Sequence, residues 1–141
     1  DKFIKIINPD KIYFGEKDFQ QLKIIEDFIK KNHPKCKVIP CKTIRDKNGI
    51  ALSSRNFLLT EVEKNLASKI YRLIKANKRI LINKKITIQE IKNTIYKMGV
   101  KKIDYINILN INKLVKPFKK KIKYRIFLAY YLGSTRLIDN I

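Results

Sequence analysis

Residues 11–40 read "KIYFGEKDFQQLKIIEDFIKKNHPKCKVIP", and this stretch decides the fold. Residues 11–14 form a short apolar strand, and Gly15 is expected to bend the chain after it. Residues 17–31 carry Phe19, Leu22, Ile25, Phe28 and Ile29 at helical spacing, so one face of a helix is apolar. Asn32, His33 and Pro34 stop that helix, and residues 37–40 give the next strand. A strand, a helix and a strand joined by short connections make a βαβ unit with parallel pairing. A helix tail at residues 3–7, halted near Pro9, precedes it. Two strands do not make a stable doubly wound sheet. The chain also starts at Asp1, almost directly in a helix-like stretch. The expectation is a piece of a longer protein whose other strands come earlier.

The second half has a different grammar. Residues 42–59, "KTIRDKNGIALSSRNFLL", hold an Asn48-Gly49 turn among small polar residues and read as a linker carrying a hairpin. Thr60-x-x-Glu63 is a capping box, and a long helix follows with Val62, Leu66, Ile70, Leu73, Ile74 and Leu81 as its apolar positions. Thr87-x-x-Glu90 opens a second helix that presents Ile91, Ile95 and Met98 and stops at Gly99. Residues 103–109 and 122–132 read as strands. In the second, Ile122, Tyr124, Ile126, Leu128, Tyr130 and Leu132 alternate onto one face. The expected organisation is α/β: residues 1–43 end a parallel-sheet domain, and residues 44–141 form a small α+β domain with helices on an antiparallel sheet.

The net charge of +21 raises the question of nucleic acid. The counts point instead to codon bias. There are 27 Lys against 6 Arg, 26 Ile against 4 Val, and 12 Asn, the signature of AT-rich codons. The lysines are spread along the chain, and the one dense run, Lys119-Lys120-Lys121, falls in an expected turn. In such a chain each arginine stands out. Arg45, Arg55 and Arg136 lie in stretches that read as loops, where a guanidinium fork can grip phosphate or carboxylate. The longest apolar run, residues 126–132, is too short for a membrane helix. Cys36 and Cys41 read as reduced thiols of a cytoplasmic protein, and one histidine cannot complete a zinc set.

Two stretches carry candidate chemistry. In "FGEKDFQQ", residues 14–21, Gly15 allows close approach of a ligand and Lys17 offers a charge for phosphate. Asp18 is suited to accept hydrogen bonds from hydroxyls, and Gln21 lies one helical turn further on. The alternative is a loop with acidic capping residues. In "ALSSRN", residues 51–56, Ser53, Ser54 and Arg55 can wrap phosphate oxygens. The alternative there is a helix start with turn residues.

"IYFGEKDFQQ", then "KTIRDKNGIALSSRN", then "GSTRLIDN" near the end resemble, in order and spacing, the C-terminal half of the pantothenate synthetase (pantoate–β-alanine ligase) family. The resemblance covers essentially the whole chain. It implies the end of a Rossmann-type nucleotidyltransferase domain followed by an α+β lid joined through residues 42–49. It implies ATP-dependent condensation of pantoate with β-alanine through a pantoyl adenylate, assisted by Mg²⁺. It also implies a homodimer of the full-length enzyme. By the same resemblance Gly15 and Asp18 meet the ribose, and Ile44 meets adenine. Lys17, Ser53, Ser54 and Arg55 hold the phosphates, and Gln21 binds pantoate.

The family's N-terminal "PTMGALHxGH" stretch, whose histidines stabilise the nucleotide transition state, is not in these residues. His33 stands in another context. The 141 residues alone are therefore expected to be inactive. The competing readings are another adenylate-forming nucleotidyltransferase, a non-catalytic remnant, half of a split enzyme, and a basic nucleic-acid-binding domain.

Overall fold

The structure is a computed structural model that describes residues 1–83, 86–111 and 123–141. It divides into two compact units, Asp1–Ile44 and Arg45–Ile141.

In the first unit, helix α1 (Lys2–Ile7) ends at Asn8, whose left-handed backbone (φ 45°) lets its N–H reach the Ile4 carbonyl. Strands β1 (Lys11–Gly15) and β2 (Lys37–Cys41) pair in parallel, from Lys11 opposite Lys37 to Gly15 opposite Cys41. Helix α2 (Phe19–Asn32) connects them and buries Phe19, Leu22 and Ile29. The βαβ expectation holds, with a change at the helix start. Residues Glu16–Asp18 form a separate 3₁₀ turn, and α2 proper begins at Phe19. Asp18 has φ −93° and ψ 60°, outside helical values, so the α ladder cannot begin before it. His33 caps the far end through its N–H to the Ile29 carbonyl, and its Nε2 lies 2.8 Å from Asp1 Oδ1.

In the second unit, helix α3 (Glu61–Ile82) and helix α4 (Ile88–Lys97) pack on an antiparallel sheet ordered β3 (Lys102–Asn110), β4 (Tyr124–Leu132), β5 (Thr135–Asn140). Both capping boxes form: the threonine side chains accept from Glu63 and Glu90 N–H, and the glutamates reach back. Ile70, Ile74 and Leu81 of α3, Ile91 and Ile95 of α4, and Ile106, Ile126 and Leu128 of the sheet share one core.

Four expectations change here. Val62 is 77% exposed. It sits in the first turn of α3, off the stripe formed by Ala67, Ile70, Ile74 and Leu81. Residues 135–140, read as a motif, form strand β5, joined to β4 by a two-residue Gly133-Ser134 turn with Gly133 at φ 55°. Arg136 is therefore on a strand rather than in a loop. Finally, β4 is buried on both faces. As the central strand it pairs on both edges, Ala129 with Tyr105 of β3 and with Ile138 of β5, and its residues Ile126–Tyr130 are buried without alternation. Ile122, expected at the start of that strand, and the run Lys119-Lys120-Lys121 lie outside the described residues.

Candidate functional site

The first stretch sits where β1 runs into α2. Gly15 has φ −69° and ψ 132°, ordinary extended backbone, and a Cβ there would meet nothing within 4 Å. The expected sharp bend at this glycine is absent, because the turn is made by the 3₁₀ residues after it. What Gly15 provides is open space beside the strand end. Asp18 is exposed and stands at the N-cap position of α2, where the acidic-cap reading puts it, but its side chain makes no capping hydrogen bond. Gln21 is also exposed, in the first turn of α2, and Lys17 is half-buried. Ile44, the last residue of the first unit, is 69% exposed.

The second stretch begins at buried Ala51 and is followed by buried Leu59. Ser53 caps a 3₁₀ helix (Ser54–Leu58), its Oγ accepting from Arg55 N–H at 3.3 Å. The capping role anticipated for these residues is thus real for Ser53. Asn56 Nδ2 donates to the Ala51 carbonyl at 3.1 Å and ties the end of the loop to its start. Ser54 and Arg55 are exposed. Among the described residues the Arg55 guanidinium has no hydrogen-bond or ion-pair partner.

The other two arginines singled out by sequence are committed elsewhere. Arg136 Nε donates to Asp104 Oδ2 at 2.7 Å, and this hydrogen bond, against slight desolvation, raises its pKa. The β3–β4 register slips between Ile103 and Tyr105, which leaves Asp104 free of the ladder to take that bond. Arg45 grips Asp139 with both terminal nitrogens, at 2.7 and 2.9 Å, and donates to the Gly49 and Asn140 carbonyls as well. Its guanidinium carbon lies 4.4 Å from the Tyr71 ring centroid. Burial opposes its charge, but the hydrogen bond and charge of Asp139 outweigh this and raise its pKa. Of the three, only Arg55 has a guanidinium with no hydrogen-bond or ion-pair partner among the described residues.

Residues 1–141 match the family model for pantoate-beta-alanine ligase. The chain belongs to the pantoate-beta-alanine ligase family. It is 37% identical over 144 residues to pantothenate synthetase of Caldicellulosiruptor bescii, with 99% of this chain and 51% of that protein covered. It is similar to the structure of pantoate-beta-alanine ligase from Francisella tularensis, described as complexed with beta-gamma ATP and beta-alanine. That match has a TM-score of 0.76 and 35% identity, and covers 99% of this chain and 46% of the other. Pantothenate synthetase from Thermus thermophilus matches with a TM-score of 0.82 and 26% identity, over 99% of this chain and 52% of the other. The chain spans about half the length of the curated relatives it matches.

As a pantoate-beta-alanine ligase chain, its candidate residues fall into two groups. Gly15, Lys17, Asp18 and Gln21 are gathered by the β1–α2 connection, and Ser53, Ser54 and Arg55 by the 3₁₀ loop. Sequence reading passed over Asn56 and Asp139. Asn56 stands inside "SSRN" but looked like a turn residue, and nothing in Asp139's surroundings signalled a partner 94 residues away.

No cluster of three or more His, Cys, Asp or Glu side chains among the described residues is placed to hold a metal ion. No helix among them is long and apolar enough to cross a membrane.

Proposed function

We propose that this chain is the ATP- and pantoate-handling C-terminal half of an enzyme that condenses pantoate with β-alanine. The observation that carries the reading is the family match over residues 1–141 together with an exposed Arg55 guanidinium in the "SSRN" loop that has no partner among the described residues.

A pantoate carboxylate oxygen attacks the α-phosphorus of ATP, and the bond to the pyrophosphate leaving group breaks. The β-alanine amine then attacks the acyl carbon of pantoyl adenylate, AMP leaves, and the amine proton passes to solvent. Neither step needs a covalent bond to the protein. The protein's task is alignment and stabilisation of charge growing on phosphate oxygens. Arg55 is built for the second, since its fork can take two oxygens at once. Ser54 and Lys17 supply further donors, and Ser53 shapes the turn. Asp18 accepts from the ribose hydroxyls beside the open strand end at Gly15, with adenine against Ile44. Gln21 donates to pantoate. The full-length enzyme is read as a cytoplasmic homodimer.

The deciding assay is pantoate-dependent exchange of pyrophosphate into ATP by the full-length protein that contains this chain. It should be followed by pantothenate release when β-alanine is added. Exchange without pantoate, or none at all, overturns the reading. The 141 residues alone should give no exchange, and a full rate from them would overturn the view that the other half supplies essential groups.

A further inference from the structure

We infer that Arg45 and Asp139 are positioning residues that set the Ser53–Arg55 loop and act on the nucleotide through Arg55. This rests on the function proposed above.

A continuous set of bonds links strand β5 to that loop. Asp139 holds both terminal nitrogens of Arg45, and the same guanidinium donates to the Gly49 carbonyl. Arg45 pairs with Ala51 across an antiparallel bridge. The Ala51 carbonyl accepts from Asn56, the residue after Arg55. Within the turn, Asp46 Oδ1 accepts from Asn48 and Ile50 N–H at 2.8 and 2.9 Å. Ser68 Oγ of α3 donates to the Asn48 carbonyl at 2.8 Å. The turn is therefore tied to β5 on one side and to α3 on the other.

Arg45 is not itself available to substrate. Both of its terminal nitrogens are spent within the protein, and its face lies against Tyr71. Arg55 shows the reverse arrangement: it is exposed and has no partner among the described residues, so within them only the loop backbone fixes where its guanidinium stands. A misplacement of about 1 Å in such a group costs on the order of 100-fold in rate. The bond relay from Asp139 is what prevents it.

The test uses the full-length protein with Arg45→Lys, Asp139→Asn, Arg55→Ala and the Arg45→Lys/Arg55→Ala pair. Two readouts are taken below the melting temperature of every variant. In pantoate-dependent exchange, Arg45→Lys and Asp139→Asn should each lower kcat about tenfold or more. Arg45→Lys should then add little once Arg55 is already Ala. Amide hydrogen exchange should quicken at Asn48, Ile50 and Asn56 and stay unchanged at Ile70 and Ile74 in the core of α3. Rate losses that multiply independently of Arg55 overturn the inference. So do unchanged loop amides, or faster exchange spread evenly over α3. Absence of exchange activity in the unsubstituted protein sinks the proposed function instead, and the amide readout still decides whether the clamp sets the loop.

Discussion

Arg45 and Asp139 meet as a two-point fork, Nη1 to Oδ2 at 2.7 Å and Nη2 to Oδ1 at 2.9 Å, across 94 residues of chain. The two side chains are only 18% and 12% exposed. Removing one partner therefore strands a largely buried charge, which typically costs about 3 kcal/mol. Asp139→Ala should lower the unfolding free energy by that much in chemical denaturation. Arg45→Met combined with Asp139→Leu should recover part of the loss, because no charge is left unpaired. Measured coupling near zero in the double-mutant cycle would mean that the pair is not a structural clamp.

Two glycines should respond in opposite ways to alanine. Gly49 has φ 90°, and its new Cβ would collide with the Tyr71 ring that Arg45 covers. Gly49→Ala should cost about 2–4 kcal/mol from strain and overpacking together. Gly15 has φ −69° and open space around it, so Gly15→Ala should leave stability within about 0.5 kcal/mol. Any rise in KM for ATP in Gly15→Ala would then report a ligand close to that Cβ. A large stability loss at Gly15, or none at Gly49, in chemical denaturation would contradict the two backbones.

Local signals in the sequence were read well because their physics is local. Thr60 with Glu63, and Thr87 with Glu90, need only three-residue spacing to form a capping box, and both do. The βαβ unit follows from periodicity and short connections. What sequence hid was long-range. Arg45 and Arg136 stood out as rare forks, yet their partners are Asp139 and Asp104, which no local pattern connects to them. Strand β5 was hidden because "TRLIDN" is too polar to alternate clearly, and its ladder with β4 supplies the missing order. Arg55 and Asp18 stand out as candidates by residue type and position, whereas the tie from Asn56 to Ala51 exists only once the loop folds back on itself.

Helix α4 should loosen in acid through one carboxylate. Glu90 accepts from Thr87 N–H at 2.6 Å and from its hydroxyl at 2.8 Å. The backbone hydrogen bond first, and the side-chain one second, hold its pKa below the usual glutamate value. A depressed folded pKa contributes stability above the unfolded value and loses it as pH falls through the folded one. The stability difference between the native protein and Glu90→Gln should therefore be widest near neutrality and shrink as pH falls below the ordinary carboxylate range. A difference that stays constant from neutral to strongly acidic pH would rule out this cap as the titrating element.

Arg55 gives the sharpest separation of chemistry from folding. It is exposed and has no partner among the described residues, so substitutions there should move stability by no more than about 0.5 kcal/mol. Its loop keeps its own supports, Ser53 capping the 3₁₀ turn and Asn56 holding Ala51. If the fork stabilises charge growing on the phosphates, Arg55→Ala should raise the adenylation barrier by about 2–4 kcal/mol. Arg55→Lys restores a positive charge but not the planar pair of donors, so it should recover only part of the rate. The loss should fall on kcat rather than KM for ATP, because the added charge exists only near the transition state. Single-turnover formation of pantoyl adenylate by the full-length protein separates these cases. Full activity in Arg55→Lys would show that a point charge suffices, and full activity in Arg55→Ala would remove this residue from the chemistry.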